Sequence, residues 1–462
     1  MTLLPRTTRC GRIAVFATAL LLALAGRAEA QADSLRLDIG GYGSFRYELN
    51  GNDDIASSMT LRRFVVTSDA RWGWRLRVYS EVEYERLSEI EVERGVEREA
   101  GGLEFEQELE GTNGSEIALE QAWAQFNLTP DFGIRFGAVL PPVGRFNIHH
   151  DDNVWNFPRR PLIDHQGAVL PSKAAWTEMG IGFVGQALVG DEGQLTYEAY
   201  LLNGVTLDFA IEEKVQTRDP KRNKLLLEAS VSPTSGSFDG AQTADAFAGR
   251  VAFSPRLGHE IGVSAYVGDY TPDFLDVDAT LTTLGLDGRT RIGPLVAEGE
   301  FLYTRFGDLT DVATDFARVA LDHETETESD ETAALESEIE VKLSGLSDER
   351  YGFWADLSWP IALAPGALGL DNAVLAPVVR YERVWYGDNL EALDFTGGAV
   401  TELTLADRTQ ERLSLGLAFR PLPQAVFHLV WERNHAVTGA LIDPGVESTT
   451  TNGLVLGMAV GF

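Results

Sequence analysis

A sharp turn followed by a dense run of charged side chains marks residues 141–177. Pro141-Pro142-Val143-Gly144 predicts an abrupt change in chain direction, and the residues after it carry both signs of charge. Rings of charged side chains at a narrow passage are how wide pores select ions, so this segment is a candidate pore constriction. The alternative is an exposed loop whose charges only keep it soluble. The candidate constriction residues are Arg145, His149, Asp151, Asp152, Arg159, Arg160 and Asp164.

The run His149-His150-Asp151-Asp152 contains side-chain types that bind metals, but its spacing argues against a metal site. Adjacent residues on an extended chain point in opposite directions, whereas metal ligands are usually spaced so that they share a face. We therefore expect no metal at this run and no other cofactor. Gly-x-Ser-x-Gly, His-Glu-x-x-His and glycine-rich phosphate loops are also missing from the sequence. We expect no enzyme, unless a catalytic triad forms only on folding.

Charged residues also alternate with apolar residues in several extended runs. Trp74, Leu76 and Val78 share one face, and Arg75 and Arg77 lie on the other. A soluble sandwich places its charges outside, whereas a barrel in lipid turns apolar side chains outward and polar ones towards a wet lumen. Such charges form either a mutually paired lining or an oriented field across the pore. The candidate lumen-lining residues are Arg36, Arg46, Arg75, Arg77, Glu81, Glu83 and Arg135.

Sixteen segments show this period of two or a comparable extended pattern. Most have the roughly ten residues that a tilted strand needs to cross a bilayer. We therefore predict an all-β protein, a transmembrane antiparallel β-barrel of about 16 strands with long extracellular loops and short periplasmic turns. The predicted strands are 35–49, 57–71, 74–86, 117–128, 132–140, 178–189, 194–203, 245–254, 259–269, 278–288, 295–306, 350–360, 373–386, 408–420, 424–435 and 451–462.

The predicted connections alternate between short and long, with a few exceptions. Trp72-Gly73 and Pro421-Leu422-Pro423 typify the short set, although 361–372 is longer. The predicted long connections are 87–116, 141–177, 204–244, 307–349, 387–407 and 436–450. This alternation is typical of outer-membrane barrels, and an even strand number places both termini on the periplasmic side.

Residues 1–30 are expected to be a cleaved signal peptide, followed by a single barrel domain over 31–462. An arginine-rich start and a short apolar run precede Ala28-Glu29-Ala30, a small-residue cleavage pattern. The single cysteine, Cys10, would leave with the signal, so no disulfide is expected. These features favour a protein of the bacterial outer membrane.

The net charge is strongly negative, at −32 for the whole chain. Because the first thirty residues carry four Arg and one Glu, the remainder has a net charge of −35. Nucleic acid is therefore not an expected partner, since phosphate binding needs clustered cations. Two runs, 89–110 and 322–340, hold nine acidic residues each. They are solvated loops, or alternatively sites where divalent cations bridge carboxylates to lipid headgroups.

The last strand ends on an aromatic residue, Phe462, and several segments resemble one known family. The terminal Phe resembles the recognition signal of outer-membrane barrels, which implies the barrel assembly machinery and outer-membrane lipid as partners. The resemblance to porins of the phosphate-selective porin O and P family lies in the runs Leu61–Val66, Phe136–Arg145, Tyr200–Gly204, Pro377–Arg383 and Arg412–Asn434. The resemblance implies a sixteen-stranded, usually trimeric diffusion channel, in which the third long loop commonly folds inward. It does not extend to phosphate selectivity, because the family's ladder of cationic residues has no match here.

The function expected from the sequence is a porin-type channel for passive diffusion of small hydrophilic solutes or ions. Two alternatives stay open: a substrate-specific uptake channel or ligand-binding receptor, and a plugged structural or adhesion barrel. Because charge on distant loops is screened over about 8 Å at physiological salt, we expect a weak cation preference that appears only at low salt.

Overall fold

The architecture comes from a computed structural model of the 462-residue chain. The structure describes residues 35–50, 58–86, 90–99, 102–111, 115–164, 169–172, 175–219, 222–234, 246–272, 274–327, 338–344, 346–396, 399–438 and 448–462. The expected signal peptide, and Gln31 after it, lie outside the described residues.

Sixteen antiparallel strands close into one barrel, which confirms the predicted fold and strand number. Each of these strands pairs with the next along the barrel. The last strand pairs with the first and closes the barrel. The barrel strands are β1 (Leu35–Asn50), β2 (Ser58–Trp72), β3 (Leu76–Arg86), β6 (Ser115–Thr129), β7 (Phe132–Val139), β8 (Glu178–Val189), β9 (Gly193–Leu202), β12 (Ala246–Arg256), β13 (His259–Asp269), β14 (Thr280–Ile292), β15 (Leu295–Phe306), β17 (Ser347–Ser358), β19 (Val374–Thr396), β20 (Ala399–Leu422), β21 (Ala425–Thr438) and β22 (Ser448–Gly461).

The polarity of the wall is the reverse of that in a soluble protein. On β13, the side chains of Ile261, Val263 and Val267 are about half exposed on the outer face. Ser264 and Tyr266, which alternate with them, are buried inside. Exposed aliphatic rows of this kind recur around the barrel, and monomeric soluble proteins rarely expose apolar patches of such extent. The outer face therefore suits the hydrocarbon core of a membrane.

The two ends of the barrel differ in the length of their connections. At one end the strands are joined by tight turns, such as those between β2 and β3 and between β20 and β21, and both described termini lie there. A short strand, β18 (Ile361–Ala362), lies in the longer connection before β19. The opposite end carries the long connections, so the tight-turn end corresponds to the periplasmic side of an outer-membrane barrel.

The long connections contain regular structure that the sequence pattern did not predict. The acidic run at 89–110 includes a hairpin of β4 (Ile90–Glu99) and β5 (Gly102–Gly111). A second hairpin joins β10 (Thr206–Asp219) to β11 (Arg222–Thr234). β11 pairs in parallel with β16 (Glu338–Ser344), which pairs with β19. Residues 328–337 of the second acidic run lie outside the described residues.

The prediction of a long loop at 387–407 was wrong, because β19 and β20 continue through most of it. Gly387-Asp388-Asn389 looks like a turn, but the structure absorbs it as a bulge, with a register shift between Tyr386 and Asn389 and a positive φ of 48° at Asp388. A bulge tolerates a left-handed residue without ending the strand, so the hairpin extends well beyond the barrel.

In the part of the chain that the structure describes, two helices accompany the strands: α1 (Arg145–Ile148) and α2 (Leu309–Thr327). Within the described residues, none of the helices combines the length and the apolar character that a membrane crossing needs. On α2, Leu309, Val312, Ala313 and Phe316 are buried at the spacing of one helix face.

Candidate functional site

Residues 141–177, here called the inward segment, cross the interior of the barrel. The segment bonds to inward-facing side chains of β1, β6, β13, β15, β19, β20 and β21. Because these strands lie around a closed barrel, a segment in contact with all of them must lie in the lumen. Its described parts are 141–164, 169–172 and 175–177.

A tight turn directs the chain inward immediately after β7. Gly144 has a φ of 75°, and a Cβ at that position would lie 2.0 Å from a carboxylate oxygen of Glu300. Only glycine combines that conformation with so close an approach. The backbone N–H of Phe146 donates to the Glu300 carboxylate at 2.9 Å, and the N–H of Gly144 donates to the Ser264 hydroxyl at 3.2 Å. The turn is therefore held by the wall that it faces.

The first charged anchor of the inward segment is Arg145. Its guanidinium lies 2.8 Å from the Glu260 carboxylate and 3.6 Å from that of Glu298, on neighbouring parts of the wall. The residue is buried. Two carboxylates thus compensate its charge and fix the position of α1.

A second anchor forms about fifteen residues later. Arg159 donates to the Glu432 carboxylate at 2.6 Å and also pairs with Glu48. Arg380 donates to the backbone carbonyl of Arg159 at 3.1 Å, and Arg412 donates to that of Arg160 at 2.5 Å. Wall arginines therefore hold the main chain of the inward segment, and wall glutamates hold its Arg159 side chain.

Two further predicted constriction residues, Arg160 and Asp164, pair with each other within the inward segment. The buried carboxylate of Asp164 is 3.6 Å from the guanidinium of Arg160. The pair has the i,i+4 spacing and joins two positions of the segment. These residues contribute to the shape of the segment, because their charges face each other.

The third contact with the wall involves the run His149–Asp152. Asp152 accepts a hydrogen bond from the Ser44 hydroxyl at 2.5 Å. His150 is buried, and its Nε2 lies 3.3 Å from the Glu120 carboxylate. Although burial opposes protonation, this carboxylate raises the pKa of His150 above its usual value. His149 points elsewhere and is exposed, so the two adjacent histidines have different surroundings.

Aromatic side chains pack beneath these polar anchors. The Trp155 ring lies 5.0 Å from that of Phe146 and 5.4 Å, edge-on, from that of Trp354 on the wall. Arg380 lies 4.4 Å above the Phe157 ring. Such contacts add about 0.5–1.5 kcal/mol each beyond burial, so the inward segment is packed as well as hydrogen-bonded.

A cavity of about 440 Å³ opens beside the inward segment, towards the end of the barrel with the tight turns. Three of the predicted constriction residues, Arg145, His149 and Asp151, line it. The wall contributes charged groups that sequence reasoning missed: Arg289, Glu298 and Arg420. Strand alternation could have predicted that these three side chains face inward. It could not have predicted their height along the barrel axis. The cavity lining therefore mixes three arginines with two carboxylates.

The predicted lumen-lining residues occupy different positions along the barrel. Arg46, Arg77, Glu81, Glu83 and Arg135 lie on strands with their side chains partly or fully buried inside. They form local pairs or contacts: Arg46 with Glu48, Arg77 with Asp69 at 3.0 Å, and Arg135 over the Trp123 ring at 4.1 Å. This arrangement corresponds to the mutually paired lining among the two alternatives.

The other two predicted lumen-lining residues, Arg36 and Arg75, are exposed. Arg36 lies near the start of β1 and pairs with Asp38 at 2.8 Å, with 72% of its side chain exposed. Arg75 lies in the turn between β2 and β3, where its guanidinium covers the Trp74 ring. The predicted strand 74–86 begins two residues too early, because the turn includes Trp74 and Arg75.

The end of the barrel with long connections is partly covered by α2. Its buried face joins one apolar cluster with Val143, Ile163 and Leu170 of the inward segment and with Phe306 of β15. Asp315 accepts hydrogen bonds from the Asp276 backbone and from Arg318, both at 2.6 Å. The interior therefore contains an apolar layer as well as charged pairs.

No family model matches this sequence. A curated relative, an uncharacterised protein of Aquifex aeolicus strain VF5, is 28% identical over 231 residues. The match spans 50% of this chain and 44% of the relative, so it covers less than half of the relative's length.

The structural neighbours are outer-membrane proteins, a porin among them, at low similarity. An anion-selective porin from Comamonas acidovorans is 9% identical with a TM-score of 0.47, covering 93% of this chain and 100% of the porin. The outer-membrane channel DcaP of Acinetobacter baumannii is 10% identical with a TM-score of 0.45, and the match covers 94% of this chain and 99% of DcaP. OmpT, an outer membrane protein of Vibrio cholerae, is 10% identical with a TM-score of 0.45, and the match covers 94% of this chain and 100% of OmpT. These likenesses do not confirm the phosphate-selective porin family.

Proposed function

We propose that this chain is a porin-type channel of the bacterial outer membrane for passive diffusion of small hydrophilic solutes or ions. The observation that carries the proposal is the reversed polarity of a closed sixteen-stranded barrel. Its outer face is aliphatic, and its interior holds paired charges and a cavity with charged walls. Such an interior needs water or ionic partners, whereas the outer face needs lipid.

The predicted constriction residues divide into two groups under this proposal. Arg145, His149 and Asp151 line the cavity and face permeating solutes. Asp152, Arg159, Arg160 and Asp164 hold the inward segment to the wall or to itself. Selectivity is assigned to the first group together with Arg289, Glu298 and Arg420, because these charges surround the open volume.

The apolar cluster between α2 and the inward segment favours a second candidate function. Apolar constrictions gate channels by excluding water, and Phe306, Phe316 and Leu170 are buried in this layer. A barrel closed in this way acts as a substrate-specific channel, in which a ligand displaces a segment, or as a plugged structural barrel. The same observation predicts that a passive porin of this design has a small conductance.

The assembly state and the wider family also belong to this proposal. The resemblance to the phosphate-selective porin O and P family supports a homotrimer of barrels, inserted by the barrel assembly machinery. In this architecture the similar run Arg412–Asn434 forms most of the β20–β21 hairpin. We do not extend the proposal to phosphate selectivity, because the cavity mixes both signs of charge. No enzymatic activity is proposed.

Single-channel recording in a planar bilayer separates these functions. A small, steady open conductance supports the passive porin. Conductance that one solute blocks or induces supports the specific channel, and no conductance supports the plugged barrel. To test the assigned cavity, Arg289→Glu should shift the reversal potential in a salt gradient towards cations. Arg256→Glu makes the same charge change at the exposed end of β12, outside the cavity, and should shift the reversal potential less. Equal shifts would contradict the assignment.

A further inference from the structure

Three potential metal ligands from separate parts of the chain meet inside the barrel. Glu81 lies on β3, Glu120 on the neighbouring strand β6, and His150 on the inward segment. All three are buried, and one oxygen or nitrogen of each lies within 4.8 Å of those of the other two. The group was not predicted, because only the fold brings these residues together.

The hydrogen bonds of His150 match those of a metal-binding histidine. Its Nδ1 lies 2.9 Å from the backbone carbonyl of Asn147, which only accepts, so Nδ1 carries a hydrogen. This leaves Nε2 directed at the Glu120 carboxylate, 3.3 Å away. Metal-binding histidines usually donate their other N–H to a carbonyl or carboxylate in this manner. Nε2 facing a carboxylate requires a cation between them, either a proton or a metal.

The carboxylates are also oriented by neighbouring donors. The Gln121 amide donates to Glu81 at 2.6 Å, and the Tyr79 hydroxyl donates to the same oxygen at 3.2 Å. Hydrogen bonds of this kind fix the geometry of metal-binding carboxylates.

The local charges balance a divalent cation better than a proton. Arg63 pairs with Glu83 at 2.6 Å, so these two buried charges offset each other. Glu81 and Glu120 then remain beside a single imidazole. A proton on His150 offsets only one of these two charges, so without a metal the second carboxylate must also take up a proton, because burying an uncompensated carboxylate is strongly unfavourable. Two carboxylates and a neutral imidazole together offset the full charge of a divalent ion.

We propose that Glu81, Glu120 and His150 bind a divalent transition-metal ion that links the inward segment to the barrel wall. Imidazole nitrogen with carboxylate oxygen suits Zn²⁺ and its neighbours, whereas Ca²⁺ and Mg²⁺ take oxygen ligands. Ligand atoms about 2.1 Å from a tetrahedral ion lie about 3.4 Å apart. The distance between His150 and Glu120 already fits, and the widest separation closes by side-chain movement. This proposal departs from the expectation of no metal drawn from the sequence, and it uses only one ligand from the His149–Asp152 run.

Zinc titration of the whole folded barrel in detergent, after treatment with a chelator, tests the proposal without any measurement of conductance. Isothermal titration calorimetry should find one Zn²⁺ per chain that excess Ca²⁺ does not displace. Zinc should also raise the temperature at which the folded barrel unfolds on a gel. His150→Gln and Glu81→Gln should each weaken zinc binding at least about a hundredfold, because one of three ligands is lost.

His149→Gln is the matched control, since the adjacent histidine is exposed and lies outside the cluster. It should bind zinc as the unaltered chain does. If His150→Gln yields no folded barrel, Glu81→Gln decides the matter, because glutamine keeps the size of the side chain. Absence of stoichiometric zinc binding, or equal zinc binding by Glu81→Gln and the unaltered chain, would overturn the proposal. Displacement of the zinc by Ca²⁺ would also overturn it and assign the binding to surface carboxylates.

Discussion

Replacement of Arg159 should weaken the attachment of the inward segment to the barrel wall. The Arg159 guanidinium pairs with Glu432 and Glu48, whose side chains are 2% and 14% exposed. Replacement by alanine leaves both carboxylates without this partner inside the barrel. Removing one member of a buried ion pair typically costs about 3–5 kcal/mol. Because 22% of the Arg159 side chain is exposed, we take the lower end of this range.

A cost of about 3 kcal/mol lowers the ratio of docked to undocked inward segment about a hundredfold, since about 1.4 kcal/mol corresponds to tenfold. Undocked conformations of the inward segment should therefore be populated more often in Arg159→Ala. Single-channel recordings should show larger conductance with frequent transitions between levels. The variant should also become more sensitive to protease added from the side of the long connections.

Arg36→Ala is the matched control, because it removes the same charge from an exposed pair worth about 0–1 kcal/mol. It should leave conductance transitions unchanged. Adding Glu432→Gln to Arg159→Ala should recover part of the loss, because it removes one of the orphaned charges. If Arg159→Ala behaves like Arg36→Ala in both assays, the anchor does not hold the segment and the reasoning fails.

Three further outcomes are expected. Phe462→Asp should lower the yield of the heat-modifiable folded form without affecting export, because the Phe462 ring stacks on Phe64 at 6.1 Å on the outer face; normal yield on gels would contradict this. Although burial raises it, hydrogen bonds from Arg318 and the Asp276 backbone hold the pKa of Asp315 below its usual value. The stability that this contact adds is present above the unfolded pKa of about 3.9 and is lost as the pH falls through the folded pKa, so the protection of the Asp276 amide against hydrogen exchange, relative to an unstructured peptide at the same pH, should fall in acid, and Asp315→Asn should abolish that dependence. Reversal potentials should show a weak cation preference at about 10 mM salt, where charges act over about 30 Å, that fades as salt rises; an anion preference persisting at high salt would show that the cavity arginines dominate.

The sequence predicted the barrel well because strand alternation is a local signal. On β22, Leu456 and Val460 face outward while Val455 and Ala459 are buried, as their spacing predicts. A change of one residue in register would turn every side chain to the other face, so the pattern tolerates little error. Local alternation therefore defines both the strands and the direction of their side chains.

The contents of the lumen were less predictable, for two physical reasons. Arg380 and Arg412 hold backbone carbonyls of the inward segment, and a carbonyl acceptor leaves no trace in the sequence. The meeting of Glu81 with Glu120 depends on the register of two strands separated by a long connection. Helix α2 did leave a signal, because Leu309, Val312 and Phe316 share a helix face, although it lies within a connection predicted to be a loop.

The hairpin of β19 and β20 has a consequence outside the membrane. A strand of 23 residues is about 75 Å long, and at a tilt of about 40° it rises roughly twice the height of the ~25 Å apolar band. Its last four residues, Leu393–Thr396, pair with β16, which in turn pairs with β11, so three separate surface connections share one sheet. A peptide grafted between Thr396 and Ala399 would be displayed far from the lipid on a stiff support. Grafts into the connections that contain β11 or β16 would instead disturb the pairing between these strands. The tip of the β19–β20 hairpin is therefore the better position for a tag that labels or captures intact cells.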